Sequence, residues 1–155
     1  MAYCRLSWMK SFKIVTGERG EGKTTYILSH FSNYKGYVTL HRNDEYFLKD
    51  LETKEETLLL SHNSFFSEAW KGWYINSDAF NKANEKLLSF SNTEVIVDEV
   101  GMLEVEERGF ATFLKKAPFM DIDLVISVRR EFIKDVRNKF FPSITPTIIS
   151  VDRFL

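Results

Sequence analysis

The run Gly17-Glu18-Arg19-Gly20-Glu21-Gly22-Lys23-Thr24 is where this chain first shows a chemistry that depends on spacing. It fits G-x-x-x-x-G-K-[S/T], a loop whose glycines let backbone N–H groups turn inward around a phosphate at a helix N-terminus. In such a loop Lys23 reaches the β- and γ-phosphates, Thr24 places its hydroxyl on Mg²⁺, and Thr25 touches the α-phosphate. Gly17, Glu18, Arg19, Gly20, Glu21, Gly22, Lys23, Thr24 and Thr25 therefore form the candidate nucleotide-binding set. The plain alternative is a flexible glycine loop with a solvated lysine. A chance match in a chain of this length is on the order of one in two hundred. The flanking residues add weight, because a short apolar run precedes the loop and a helical pattern follows it.

A phosphate-binding loop needs an acidic partner for its metal at the tip of a neighbouring strand. Glu94-Val95-Ile96-Val97-Asp98-Glu99 supplies one. The apolar run is the strand, Asp98 stands at its end to hold Mg²⁺ through water, and Glu99 orients or deprotonates an attacking water. Acids at strand ends are often only the start of a loop, and the phosphate-loop match is what tips the balance here. Asp98-Glu99-Val100-Gly101 also spells the D-x-x-G of GTP switch proteins, but the guanine-reading N-K-x-D does not follow. Its nearest match, Asn81-Lys82-Ala83-Asn84, precedes it and lacks the Asp. Chromosome-partitioning ATPases want a lysine just after the first glycine, where Glu18 stands. Ser127-Val128-Arg129-Arg130 ends a later strand, so Arg129, or alternatively Arg130, is placed to stabilise transition-state charge as an internal arginine finger. Solvated arginines paired with Glu131 and Asp135 are the competing reading. His30, His41 and His62 are scattered and read as surface or packing residues.

The elements that must position these residues follow from apolar patterning. Phe12–Thr16 is a strand running into the loop, and the helix after it carries Tyr26, Ile27 and Phe31 on one side. Gly36–Leu40 is a second strand. Tyr46–Leu48, Thr57–Leu60 and Trp73–Ile75 predict a small antiparallel insertion. Ser77 reads as the N-cap of a helix with Phe80, Ala83, Leu87 and Phe90 on one stripe. Thr93–Asp98 is a buried strand. A helix is expected over Val105–Ala117, with Glu106 and Glu107 in its first turn, Lys115 and Lys116 in its last, and Pro118 stopping it. Ile122–Val128 is a strand, Glu131–Phe141 a helix and Thr147–Val151 a final strand. The alternation predicts an α/β fold with a mostly parallel sheet between helices.

The chain has 155 residues, 44% hydrophobic and 28% charged, which excludes a disordered or collagen-like protein. It reads as one domain over 1–155, with Met9 a natural start before the first strand and Met1–Trp8 either a dispensable extension or, through Leu6 and Trp8, packing on the sheet edge. A net charge of −1 offers no basic field for nucleic acid, and the single Cys4 allows no internal disulfide. No apolar stretch approaches the roughly 18 residues of a spanning helix, so a soluble, cytoplasmic setting is expected. Fourteen Phe read as core filling.

With Gly22-Lys23-Thr24-Thr25 and Asp98-Glu99-Val100-Gly101-Met102-Leu103-Glu104-Val105 in view, the chain resembles the small nucleoside-triphosphatases of the thermophile and cancer-related type. The second block is similar to that family's Asp-Glu-Ile/Val-Gly-x-Met/Leu-Glu-Leu. The resemblance implies a three-layer P-loop sandwich with the catalytic-glutamate strand order, in which Ile122–Val128 lies between Phe12–Thr16 and Val95–Asp98. It also implies slow hydrolysis of ATP, GTP and other nucleoside triphosphates with little base preference, and a structural or Mg²⁺-shell role for Glu104. Met102 stands where many members carry Lys, the Gly-rich middle stretch is missing, and Asp152-Arg153 replaces a frequent Asn-Arg. The expected activity is Mg²⁺-dependent hydrolysis by Glu99, Lys23 and Arg129, with Thr24 and Asp98 as the metal pair. A small-molecule or nucleotide kinase and a non-catalytic nucleotide sensor are the alternatives.

Overall fold

The computed structural model describes residues 9–18, 20, 22–63 and 65–151. Arg19, Glu21, Asp152, Arg153 and the proposed extension Met1–Trp8 lie outside the described residues. Apolar runs too short for helices form a single nine-stranded sheet: β1 (Ser11–Gly17), β2 (Lys35–Arg42), β3 (Glu45–Asp50), β4 (Glu56–Ser61), β5 (Glu68–Trp70), β6 (Trp73–Ile75), β7 (Thr93–Val100), β8 (Ile122–Arg129) and β9 (Thr147–Ser150). The spatial order is β5-β6-β4-β3-β2-β7-β8-β1-β9. From β2 to β9 the pairs are parallel, and from β2 outward through β5 they are antiparallel. β8 thus sits between β1 and β7, the order implied by the family resemblance. The antiparallel insertion was expected, but its edge strand β5 was not.

The two halves of the sheet differ for a local reason. β2 and β3 are joined through Asn43 and Asp44, both with positive φ (50° and 62°), which makes a two-residue hairpin whose twist suits antiparallel strands. The parallel strands are linked instead through helices α1 (Lys23–His30), α2 (Ser77–Leu88), α3 (Met102–Val105), α4 (Ala111–Lys116) and α5 (Ile133–Phe140). Ile27 of α1 packs with Val15, Val38, Ile96 and Val125 on one face of the sheet. Residues of α2, α4 and α5 pack on the other face against Ile14, Val97, Leu124 and Ile126. This gives three layers, and it explains why β1, β7 and β8 read as continuous apolar runs.

Three expectations are corrected. The helix over Val105–Ala117 is instead two short helices, α3 and α4, separated by a turn, with Pro118 inside a 3₁₀ turn over Ala117–Phe119. Glu107 (φ 68°) and Gly109 (φ 60°) adopt left-handed backbone conformations that no helix accommodates. Glu107 does not cap a helix but forms ion pairs with Lys115 and Lys139. The N-cap of α2 is Asn76 rather than Ser77, since the Asn76 Oδ1 accepts from the Ala79 N–H at 3.1 Å. The helix expected over Glu131–Phe141 begins as a 3₁₀ turn, Arg130–Phe132, before α5.

Gly36 keeps β2 against β7. It has φ +110°, and a Cβ there would lie 2.1 Å from the Ile96 carbonyl oxygen. Gly36→Ala is therefore expected to destabilise the protein by about 3 kcal/mol or more, combining backbone strain with a backbone clash. Urea unfolding of the two proteins checks this; equal midpoints would contradict it.

Candidate functional site

The first glycine of the phosphate loop ends β1, where Gly17 pairs in register with Arg129 of β8. The loop then turns through left-handed backbone at Gly20 (φ 80°) and Gly22 (φ 94°), with open space where a Cβ would stand. Gly22 caps α1, and its carbonyl accepts the first helical bond from Tyr26 N–H at 2.9 Å. Lys23 is buried, and its ammonium donates to the Gly17 and Glu18 carbonyls at 3.3 and 3.0 Å. The cation is held across the loop where phosphate oxygens would compete for it. Thr25 is exposed on the first turn of α1, and exposed Glu18 pairs with Arg130 at 3.5 Å.

Asp98, 1% exposed, is tied to three other elements. Its Oδ2 accepts from the Thr24 hydroxyl at 2.7 Å and from the Thr39 N–H at 3.1 Å, and its Oδ1 accepts from the Ser127 hydroxyl at 2.5 Å. Burial pushes the Asp98 carboxyl above its usual range, against the lowering effect of these three donors and of the Lys23 charge. The motif pair Thr24 and Asp98 is therefore brought into direct contact.

The strand ladder is irregular at this point. Val97 pairs with Ile126 and Val100 with Val128, so β7 spends one more residue than β8 over Asp98-Glu99. Within the bulge Glu99 has φ +59°, and its N–H donates to the Ser127 hydroxyl at 2.7 Å rather than to the ladder. Ser127 thus fixes both acids, one through its hydroxyl proton and one through its oxygen. Thr39 and Ser127 were missing from the sequence reading. The available signal was a lone hydroxyl inside the buried run Ile122–Val128, two residues from the strand tip.

The bulge carries the Glu99 side chain into a cavity of about 280 Å³ that Arg129 also lines. Arg130 does not line it, and reaches instead toward Glu18 and the Val151 carbonyl. Glu104, 1% exposed, closes the adjoining turn: its Oε1 accepts from Gly101 N–H at 2.8 Å and its Oε2 from Phe110 N–H at 3.1 Å. With both oxygens engaged by backbone, Glu104 acts on the loop that carries Gly101. The three histidines all stack on aromatic rings, His30 on Tyr26, His41 on Tyr46 and His62 on Trp73.

A glycine loop opening a helix from a central parallel strand, with an acid from a strand two places away bonded to the loop threonine, defines the P-loop class of α/β proteins. No protein-family model and no curated protein matches the chain. Two solved structures do match in fold. One is the crystal structure of THEP1 from the hyperthermophile Aquifex aeolicus, with a TM-score of 0.64, 19% identity, and 90% of each chain covered. The other is the solution structure of a human cancer-related nucleoside triphosphatase, with a TM-score of 0.56, 15% identity, and 93% of this chain and 90% of that one covered. Among the described residues no helix is long and apolar enough to cross a membrane.

Burial raises the Glu104 pKa from the ordinary 4.5 to about 7, with the nearby Glu99 charge adding to the effect and the Gly101 and Phe110 amides opposing it. A carboxyl raised on folding contributes stability that is complete below about pH 4.5 and is lost as pH rises through about 7. The loss amounts to about 3 kcal/mol. Urea unfolding of wild type and Glu104→Gln across this range is expected to show a flatter pH dependence in the variant. Parallel curves would contradict it.

Proposed function

We propose that the protein is a Mg²⁺-dependent nucleoside-triphosphatase that hydrolyses ATP, GTP and related triphosphates to the diphosphate and phosphate. The observation that carries this reading is the 2.7 Å contact between the Thr24 hydroxyl and the Asp98 carboxylate. Hard oxygen donors of this kind suit Mg²⁺, which would take the Thr24 hydroxyl and be held by Asp98 through water. Thr24 and Asp98 would hold the ion, which when bound neutralises charge on the β- and γ-phosphate oxygens. The names of the two structural neighbours accord with the same class of chemistry.

The chain's own groups have separable tasks. Amides of the Gly17–Gly22 loop cradle the β-phosphate, and Lys23 exchanges its two carbonyl partners for phosphate oxygens. Glu99, aimed by the bulge, accepts a proton from the attacking water. Arg129, in register with Gly17, offers a guanidinium to the charge that builds on the γ-phosphoryl oxygens. Membership of the thermophile and cancer-related family and a cytoplasmic location fit this reading.

The test is nucleotide affinity together with phosphate release. Lys23→Ala is expected to weaken triphosphate binding and abolish turnover, and a chelator to abolish turnover of the wild type. Glu99→Gln is expected to lose about 10²–10⁴-fold in rate while still binding, as loss of a general base does. Asp98→Asn is expected to weaken binding and turnover together. Normal hydrolysis by Glu99→Gln would place the base elsewhere. Tight binding by wild type with no turnover would favour a nucleotide sensor.

A further inference from the structure

The cavity that receives Glu99 has a composition that hydrolysis alone does not require. Its wall opposite the parallel strand ends is aromatic: Tyr46 of β3, Trp70 of β5 and Trp73 of β6 on the antiparallel side, with Phe80, Phe110 and Phe132 completing it. Among the described residues, none of the 17–25 loop lines it. Thr39 joins the two regions, lining the cavity while its N–H holds Asp98. On the triphosphate reading, Asp98 and Glu99 stand at the γ-phosphate end of the nucleotide, which puts this chamber on the γ-phosphate side.

Its chemistry narrows the occupant. About 280 Å³ is near the lower end for small-molecule sites, which run to roughly 1,000 Å³, so its size matches a one- or two-ring molecule better than a second triphosphate. Among the described residues the charged groups of the lining are Glu99, Arg129 and Glu104, one of them a cation, so this wall suits an uncharged body more than a phosphate-bearing acceptor. The Tyr46 and Trp73 rings, 5.2 Å apart between centroids and tilted by 60°, are each backed on one face by a histidine, His41 and His62, which leaves their remaining surfaces for a flat ring. Glu99 and Arg129 line the same cavity and supply its polar end.

We propose that this cavity is an acceptor site for an aromatic alcohol, whose hydroxyl takes the γ-phosphoryl group in place of water. The proposal rests on the triphosphate reading above. The Glu99 carboxylate accepts the hydroxyl proton, and the alcohol oxygen forms a bond to the γ-phosphorus. The bond from that phosphorus to the β–γ bridging oxygen breaks, and the nucleoside diphosphate leaves with the electron pair. The products are an aryl-alkyl phosphate monoester and the diphosphate. Hydrolysis is the outcome when the cavity holds only water.

The experiment uses the full chain with ATP, Mg²⁺ and three probes: naphthalen-2-ylmethanol, 2-(indol-3-yl)ethanol and pyridin-3-ylmethanol. Phosphorus NMR follows phosphate against phosphate monoester, calorimetry follows ATP binding, and ligand-observed NMR follows the alcohols. At least one alcohol is expected to bind saturably and to yield its monoester. Leu60 of β4 also lines the cavity, and Leu60→Trp, which fills it, is expected to lower the ratio of ester to phosphate at least tenfold. Trp73→Leu, which removes a ring from the wall, is expected to lower it in the same direction should the first variant not fold. ATP turnover to phosphate with no ester from any probe overturns the proposal and leaves the triphosphatase reading intact. An ester ratio unchanged in both variants overturns the assignment to this cavity. Absence of ATP binding by calorimetry removes the triphosphatase reading and the acceptor proposal with it.

Discussion

The carboxylate of Asp98 lies inside the protein, and a buried negative charge persists only where donors replace the water it has lost. Here the donors come from three different elements: Thr24 at the start of α1, the Thr39 backbone in β2 and Ser127 in β8. The acid itself ends the apolar stretch of β7. One side chain therefore fixes the first turn of the loop helix relative to three strand ends. Each donor is a group that α-helical or ladder bonding would otherwise leave free or use differently. The same need to satisfy Asp98 explains the bulge, because Ser127 serves both Asp98 and the displaced Glu99 N–H.

The sheet assigns different work to its two halves. The parallel half, buried on both faces, delivers strand ends and the loop to one edge, where fixed backbone amides and one lysine suit phosphate. The antiparallel half, reached through the Asn43-Asp44 hairpin, brings indole and phenol rings up beside those ends. Glu99 stands on the boundary, with its backbone tied to β8 and its side chain lining the aromatic cavity. Glu104 braces this boundary from below, since its two oxygens hold the turn that carries Gly101 and Phe110.

Much of this was legible in the sequence where a single physical constraint acts locally. The loop glycines, Lys23 and Thr24 announce themselves by spacing, and β1, β7 and β8 by apolar runs that only a two-sided burial explains. The strand order came from a family resemblance and not from periodicity. The turn after α3 was hidden because Val105–Ala117 has helical composition. What breaks it is tertiary, the Glu104 carboxylate claiming the Phe110 amide, with Gly109 so close that a Cβ would lie 2.1 Å from the Glu104 carboxylate. Ser127 and Thr39 escaped because a hydroxyl or an amide in a strand shows no role until its neighbour across the sheet is known. The phenylalanines read as core filling do fill the core at Phe12, Phe113 and Phe141, but Phe80, Phe110 and Phe132 also line the cavity.

The central claim is that Thr24 and Asp98 together hold the metal that escorts the triphosphate. A crystal structure with Mn²⁺ and a non-hydrolysable ATP analogue tests it directly, because the anomalous signal locates the ion independently of the protein phases. The account predicts one Mn²⁺ peak at the Thr24 hydroxyl, held by Asp98 through water, with the β-phosphate inside the Gly17–Gly22 loop. A metal bound elsewhere, or an analogue seated outside that loop, would contradict it.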